Sequence, residues 1–413
     1  MRTFFREIEH KGFYLCFFYL ICLYAIFLRL QFVPSSLTYF LYGISILYSI
    51  KILLRRGLLG LKGKIDVVFI FLFLLYYFFS GLIYVSLDQT GSSSSWIFKD
   101  FLYSLLPIFF YLIIRLSKIK LDTQVLLLIT WLAILIVDFI SLVLLFSPNS
   151  SISGYFKEEL LEFEGTINFA LSGLNGVILT GFVNIIGFII CLFSPIKLNK
   201  IIKISSALLF VVCAFLTGQR TPIAGFLLII VIYLLQKKSK GAFAILAIVG
   251  VFMLALPYID YEVEGVPVKE AMTERILYRF SNVKGGDTGR NEQYQIYNDD
   301  NILELIVGDG VGKHSPENEK SVNAMPDAML FRIFNEMGII GLMLFLLFFY
   351  VNFIRSVKNR NWFAISLIVF SFFANSFNRV LFTAPLSILP YVLISYFNWK
   401  VEEERVYLVT KVK

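Results

Sequence analysis

The sequence carries little charge for its length. Only 16% of its 413 residues are Asp, Glu, Lys or Arg, whereas about 25% of a soluble globular chain is charged. Hydrophobic residues make up 58% of the chain, and the mean hydropathy is +0.77. This deficit of charge excludes an ordinary soluble protein, and we expect the lipid bilayer to be the main solvent of the fold.

Cysteine and histidine are also scarce. The chain has two histidines, and its carboxylates do not cluster with them at the spacing of metal ligands. We therefore expect neither a bound metal ion nor another cofactor. The four cysteines all fall within apolar runs, which indicates small buried side chains and not a disulfide framework. They are Cys16, Cys22, Cys191 and Cys213.

The basic residues lie in short clusters between the apolar runs. A formal net charge of +8 could suit a nucleic-acid-binding protein, but clusters of this kind are the positive-inside pattern of cytoplasmic loops. We therefore expect no nucleic-acid partner and a multi-pass membrane protein. The clusters are Arg55/Arg56/Lys62/Lys64, Arg115/Lys118/Lys120, Lys197/Lys200/Lys203, Lys237/Lys238/Lys240 and Arg355/Lys358/Arg360.

About twelve apolar runs approach the length of about 20 residues that a membrane-spanning helix needs. With the amino terminus in the cytoplasm, alternation of these runs places every basic cluster on the inner side. The predicted fold is all-α, a polytopic transmembrane helix bundle of about 12 helices with both termini cytoplasmic. The first run lacks a small-residue cleavage site, so we expect a retained helix and not a signal peptide. The runs lie near 13–30, 34–54, 66–87, 98–114, 124–146, 171–194, 203–218, 221–236, 242–258, 329–352, 362–377 and 381–398.

One long polar stretch, 259–328, divides the chain into three predicted regions. Residues 1–258 hold about nine spans, and 329–413 hold about three spans and a cytoplasmic tail. Alternation places 259–328 outside the cytoplasm, and loops of that length are usually functional or disordered. Apolar spacing predicts short helices near 268–282 and 291–306, lying against the outer membrane face.

The first segment with candidate chemistry centres on Arg220, in a turn between two apolar runs. An arginine close to hydrocarbon costs about 2.5–3.5 kcal/mol on insertion scales, so it requires a compensating partner. Its guanidinium could grip a phosphate through two parallel hydrogen bonds, or it could extend to the membrane interface at a tight turn. The residues alone leave both interpretations open.

The second segment runs from Gly286 to Gly312 and places two glycine-rich turns around a predicted short helix. Arg290 lies at the first turn of that helix, where backbone N–H groups also favour anions. The run 308–312 follows no strand of a βαβ unit and lacks EF-hand spacing, so it is neither a dinucleotide fingerprint nor a calcium loop. An ordinary turn is the favoured interpretation of that run on spacing alone.

The third segment, 326–341, leads from the polar loop into an apolar run. Asp327 lies at or near the N-terminus of the predicted helix, where a carboxylate is stabilised. A helix cap is therefore the interpretation that physics alone favours. Arg332 and Glu336 are spaced to pair on one face of the helix.

Three further features place polar side chains within an apolar run or on the predicted outer side of the membrane. His314 is the one histidine predicted outside the cytoplasm; a loop histidine is usually solvated, although histidine serves readily as an acid or base. Asp138 lies within a predicted span, which makes it a functional or paired residue whose partner the sequence does not identify. Asn375, Asn378 and Arg379 form a predicted outer turn that could line a polar cavity.

Taken in order, these motifs resemble the O-antigen polymerase and O-antigen ligase superfamily of membrane glycosyltransferases. The resemblance rests on an Arg turn at 218–222, Gly-Arg at 289–290, Gly-x-Gly within 308–312, and a segment 327–341 that ends in Glu-x-Gly-Ile-Ile-Gly. Ligases carry a histidine at the position that Asp327 occupies here, whereas aspartate is similar to what many repeat-unit polymerases show. The resemblance therefore favours a polymerase and makes Asp327 a candidate base as well as a helix cap.

The resemblance implies a reaction on the outer face of the bacterial cytoplasmic membrane. Oligosaccharide repeat units, linked through pyrophosphate to undecaprenol, would be joined into O-antigen, capsule or exopolysaccharide without a metal ion. The expected partners are these undecaprenyl-pyrophosphate-linked oligosaccharides, the lipid bilayer and a chain-length regulator.

The same resemblance suggests roles for individual residues. We expect Arg220 and Arg290 to hold the donor pyrophosphate and to stabilise the charge that develops as it leaves. We expect Asp327 to accept the proton of the attacking sugar hydroxyl. The further substrate contacts that we expect are Arg279, Arg332, His314, Tyr294, Tyr297 and Arg379.

Two alternatives remain open at this point. A ligase would use the same donor but transfer the glycan to lipid A core or protein. A transporter or flippase would place polar groups at mid-membrane and often shows a two-half repeat. Asp138 suits a transporter, whereas the polar outer loop and the lack of a visible repeat favour the enzyme. A non-catalytic scaffold would leave the outer arginines unexplained.

Overall fold

The computed structural model describes part of the chain in detail. The described residues are 47, 64–87, 108, 111–112, 114–116, 123–146, 177–216, 220–237, 262–263, 266–267, 302–311, 329–377 and 390–398. The predicted spans near 13–30 and 242–258 lie outside these ranges, and the spans near 34–54, 98–114 and 381–398 lie in them only in part.

Helix is the dominant element of the described chain. Helices α1–α5, α7 and α8 coincide with predicted spans, and α6 falls at the end of the predicted 291–306 helix. The helices are α1 (Ile65–Leu87), α2 (Thr123–Phe146), α3 (Val177–Phe193), α4 (Lys200–Leu216), α5 (Arg220–Lys237), α6 (Ile302–Val307), α7 (Met329–Lys358) and α8 (Trp362–Phe377). A two-residue strand β1 (Glu262–Val263) pairs antiparallel with β2 (Val266–Pro267). Residues 108, 111–112, 114–116 and 390–398 are also helical.

The surface of α1 shows why a membrane environment is favoured. Phe73 and Tyr77 are buried in the protein, yet Phe79 and Ile83 on the same helix are exposed. A helix that is apolar on all sides requires apolar surroundings on all sides. Among the described helices, α1 and α7 are long and apolar enough to cross a membrane, and several others are apolar but shorter.

The first compact unit comprises residues 1–37 and 119–286. Its described helices are α2–α5, and α3 is the central one because every residue from 181 to 191 is buried. Gly187 allows α4 to approach closely: a Cβ atom there would lie 2.8 Å from Cε2 of Phe210. Small residues at such crossings allow two helix backbones to approach closely. In lipid, where no hydrophobic force drives helices together, this close packing holds them to each other.

The second compact unit comprises residues 38–118 and 287–413. Helix α7 packs against α1, α6 and α8 in this unit. Aromatic rings fill the interior: the ring centroids of Phe73 and Phe345 are 5.4 Å apart, and those of Tyr111 and Phe348 are 4.9 Å apart. Edge-to-face and tilted pairs of this kind add to the stabilisation that burial provides.

Helix α7 is broken at Gly338, whose backbone angles are φ 61° and ψ −165°. The sequence predicted one continuous span near 329–352, but the structure has two helical halves that meet at this residue, and the second half extends to Lys358. A left-handed φ is accessible to glycine at little cost because glycine has no Cβ atom. The break is therefore built into the sequence at the Gly-Ile-Ile-Gly motif.

Candidate functional site

Most of the predicted site residues lie outside the described part of the chain. Arg332 is described fully, and Arg220 is the first residue of α5, although its side chain is not described. The predicted site residues that lie outside the described residues are Asp327, Arg290, Arg279, His314, Tyr294, Tyr297 and Arg379. Their assigned roles stay predictions.

The described part of the site is a turn that docks onto the broken helix α7. At a helix break the last carbonyl groups lose their partners along the helix. Here the backbone N–H of Asp309 donates to the carbonyl of Asn335 at 3.0 Å, and that of Gly310 donates to the carbonyl of Glu336 at 3.1 Å. The glycine-rich turn after α6 therefore caps the first half of α7.

Two glycines make this close approach possible. A Cβ atom on Gly308 would lie 2.4 Å from the carbonyl carbon and oxygen of Glu336, and a Cβ on Gly338 would lie 2.3 Å from the carbonyl oxygen of Ile306. Gly308 also has a left-handed φ of 87°. The structure thus brings together the Gly-x-Gly run and the Gly-Ile-Ile-Gly motif, which the sequence identified as separate segments.

Helix α1 completes the arrangement. The hydroxyl of Tyr76 donates to the carbonyl of Val307 at 2.8 Å, which supplies a partner to the C-terminal end of α6. The hydroxyl of Ser80 lies 3.5 Å from the carbonyl of Glu336, at the outer limit for a hydrogen bond. Helices α1 and α6 therefore both contact the region of the break in α7.

The first half of α7 carries a buried ion pair. Nε of Arg332 donates to Oε2 of Glu336 at 3.0 Å, and both side chains are almost completely buried. The sequence spacing predicted this pairing, and the structure confirms it. The neighbouring Asn335 is also buried, whereas Asp309 in the docked turn is only partly so. This end of α7 is consequently polar inside an apolar unit.

The second compact unit also contains a larger ion network that the sequence analysis missed. Asp66 accepts from Nε of Arg115 at 2.8 Å and from Nη2 of Arg355 at 2.9 Å. Sequence reasoning assigned both arginines to loop clusters, but Arg115 is fully buried and Arg355 is mostly buried. The sequence did contain a signal for this network: Asp66 is an acidic residue at the start of an apolar run, directly after a basic cluster, and so requires a cationic partner.

Uncharged groups extend this network across the unit. The Tyr111 hydroxyl contacts both Asp66 and Asn352, and Nδ2 of Asn398 donates to Oδ1 of Asn352 at 2.7 Å. The hydroxyl of Ser356 donates to Oδ1 of Asn398 at 3.1 Å. Buried polar groups that are satisfied in this way specify how helices align, because an alternative alignment would leave them unpaired.

Asp138, which the sequence singled out as a charged residue within a span, lies in the first compact unit. Asp138 on α2 is fully buried, and the side chains of Asn184 on α3 and Cys213 on α4 lie beside its carboxyl group. These two residues are the neighbours that the sequence did not identify. Asn375, which we expected in an outer turn, is instead a buried residue of α8 whose Nδ2 donates to the carbonyl of Ser371.

Comparisons with known proteins do not place the chain in a family. No protein-family model matches the sequence, and no curated protein matches it either. Within the described residues, no group of three or more His, Cys, Asp or Glu side chains is arranged to hold a metal ion. The site geometry and the sequence motifs are therefore the observations on which a function can be argued.

Proposed function

We propose that this chain joins undecaprenyl-pyrophosphate-linked oligosaccharide repeat units into a surface polysaccharide. It would act as a polytopic protein of about 12 helices on the outer face of the bacterial cytoplasmic membrane. The observation that supports the proposal most is the docking of the 308–310 turn on the Gly338 break. Two of the motifs on which the resemblance to O-antigen polymerases rests thereby belong to one structural feature.

The proposed reaction is a glycosyl transfer between two lipid-linked molecules. A hydroxyl oxygen of the acceptor repeat unit attacks the anomeric carbon of the donor glycan, and the bond from that carbon to the pyrophosphate oxygen breaks. Undecaprenyl pyrophosphate leaves with the bonding electron pair, and the hydroxyl proton passes to Asp327. The growing chain then rests on the acceptor lipid.

Arginines are suited to the leaving group in this proposal. A guanidinium remains charged and matches the geometry of phosphate oxygens, so it stabilises the developing negative charge without a metal ion. Arg220 and Arg290 are the proposed contacts with the pyrophosphate. Arg332 is a weaker candidate than the sequence suggested, because Glu336 already neutralises it.

The packed start of α7 supports the assignment of the base. Asp327 precedes Met329, the first residue of α7, by two positions. Met329 is buried, and the break nine residues later is held by the docked turn. A catalytic group next to a fixed element keeps its distance to the substrate, which is the condition for effective proton transfer.

The proposal is tested by complementation of a deletion strain and gel analysis of the surface glycan. We expect the wild-type gene to restore a ladder of polymer lengths, and Asp327→Asn or Arg290→Ala to give single repeat units only. Asp299→Asn and Lys200→Ala are matched controls that remove a charge elsewhere and should keep the ladder. A full ladder from Asp327→Asn would disprove the assignment of the base.

A flippase is the alternative that one observation favours. Transporters often bind substrate at discontinuous helices, and α7 is broken at Gly338. Asp138→Asn separates the two functions, because it removes an ionisable group from α2 while keeping its shape. If the chain is a polymerase, cells with the Asp138→Asn variant should retain the ladder. If it is a proton-coupled flippase, those cells should accumulate lipid-linked units on the cytoplasmic side. Transfer of glycan to lipid A core or protein would identify a ligase.

A further inference from the structure

Helix α6 exposes an unusually apolar surface for a segment of a polar loop. Five of its six residues are aliphatic and exposed, with exposed fractions of 77% for Ile302 and 66% for Leu303 and lower values for the other three. A contiguous exposed apolar patch marks contact with another apolar phase. A helix this short is also not stable alone, so its position is set by what it docks on.

The docking of α6 fixes its position on α7. The turn that follows α6 donates two backbone hydrogen bonds to the first half of α7, and the carbonyl of Ile306 lies against Gly338. Because both contacts involve backbone atoms, α6 cannot move away from α7 without leaving polar groups unpaired.

The contact with α1 indicates how deep α6 lies, because it can be placed along the apolar stretch of α1. The apolar stretch Ile65–Ile83 contains 19 residues, so at 1.5 Å per residue it is about as long as the hydrocarbon core is thick, roughly 30 Å. Tyr76, which holds the carbonyl of Val307, lies about 10 Å from the Ile83 end of that stretch. The C-terminal end of α6 is therefore level with the apolar interior of α1.

The exposed surface of α6 continues onto α7. Ile339, Ile340 and Met343, directly beyond the break, are also exposed and apolar. Backbone that departs from a continuous helix is tolerated at membrane depth only where its polar groups find partners within the protein. The hydrogen bonds of Val307, Asp309 and Gly310 meet that condition.

We propose that α6 and the turn 308–311 form a re-entrant segment within the hydrocarbon layer, with the aliphatic side chains of α6 in contact with the acyl chains of the bilayer. The occupant of this surface is lipid, because the patch is continuous with the exposed flank of a membrane-spanning helix. This inference rests on the membrane location of α1 and α7 and not on the proposed reaction. A result that disproves the re-entrant segment therefore does not disprove the proposed reaction, and the reverse also holds.

The test uses fluorescence quenching on the full-length protein in lipid nanodiscs. The four native cysteines are replaced, and a single cysteine that carries a fluorophore is placed at Ile302, Leu303 or Val307. Met343→Cys is the control for lipid contact, and Lys358→Cys, on the exposed final residue of α7, is the control for water contact. Spin-labelled phospholipids quench groups in hydrocarbon, and iodide quenches groups in water.

We expect the α6 positions to resemble Met343→Cys, with strong lipid quenching and iodide quenching severalfold weaker than at Lys358→Cys. Strong iodide quenching at all three α6 positions without lipid quenching would overturn the proposal, because α6 would then lie in water. Protection from both quenchers would also overturn it, since another protein segment would then cover the surface. The two control variants give the quenching expected for a position in lipid and for a position in water, and elution of each α6 variant at the size of the unmodified protein in nanodiscs shows that it is folded and inserted.

Discussion

At the scale of single residues, two clusters in the second compact unit hold charge inside apolar surroundings by pairing it. Asp66 lies between two guanidinium groups, and Arg332 lies against Glu336. An unpaired charge in such surroundings is costly, whereas a paired one with further hydrogen bonds is tolerated. Removal of one partner therefore tests each cluster more severely than removal of both.

Asp66→Asn is expected to destabilise the second compact unit. The change leaves Arg115 and Arg355 without their shared carboxylate, and breaking a buried ion pair costs about 3–5 kcal/mol. Thermal unfolding of the purified protein in detergent should show a clear drop in Tm. Lys200→Gln is the control, because the side chain of Lys200 is exposed and loss of its charge should change the unfolding free energy by less than about 0.5 kcal/mol.

The Arg332–Glu336 pair allows structure and substrate binding to be separated. Glu336→Gln alone leaves a buried guanidinium without its carboxylate and should lower Tm. The double change Arg332→Met with Glu336→Met removes both charges and should recover most of that loss. A stable double variant that cannot restore the glycan ladder would support the predicted contact of Arg332 with an anion, whereas a full ladder would limit the pair to a structural role.

At the scale of elements, the central feature is a short helix and a turn that cap a broken helix. Periodicity and composition located α7 and the two glycine motifs, because helical hydrogen bonds are local and apolar runs are visible in the sequence. They did not predict that the motifs touch. The prediction of an ordinary turn at 308–312 was incomplete, since Gly308 is required by the backbone of α7.

Gly308→Ala is expected to undock α6 from α7. The added methyl group would lie within 2.4 Å of backbone atoms of Glu336, which cannot rotate away, and alanine is strained at a φ of 87°. We expect a destabilisation of at least about 1–3 kcal/mol from the strain alone. Tm measurement and iodide quenching at position 307 should both report the change.

Leu303→Ala is the control for this prediction. It shortens an exposed side chain of α6 without touching the turn, so Tm and quenching at position 307 should stay near the values of the unmodified protein. Equal behaviour of Gly308→Ala and Leu303→Ala would show that the close contact is not required.

At the scale of the whole molecule, the described residues support a helical protein with helices suited to a membrane. Predicted spans and described helices coincide at α1–α5, α7 and α8. The predicted count of about 12 spans and the division into 1–258, 259–328 and 329–413 stay predictions. Contacts divide the chain differently, because each compact unit is assembled from two stretches of sequence.

The predicted topology can be measured with cysteine labelling in spheroplasts. With the native cysteines replaced, Asp300→Cys should react with a membrane-impermeant maleimide, because 259–328 is predicted to lie outside the cytoplasm. Lys238→Cys should react only after the membrane is permeabilised, because the positive-inside rule retains its cluster in the cytoplasm. The reverse labelling pattern would show that the orientation is wrong.

The sequence by itself determined that the described part of the chain is helical, that some of its helices suit a membrane, and where those helices lie. Charge content, apolar run length and the i, i+4 spacing of Arg332 and Glu336 depend on neighbouring residues, so they can be predicted without a fold. The same is true of the glycine that allows α7 to break, although the break itself was not predicted.

Only the tertiary structure decided which distant groups meet. Tyr76 and Val307 are separated by 231 positions, and Tyr111 and Asn352 by 241. Such pairs depend on how helices align, and many alignments bury the same apolar area. The buried polar groups select among them, because they leave few arrangements in which Asp66, Asp138 and the carbonyls at the Gly338 break all have polar neighbours.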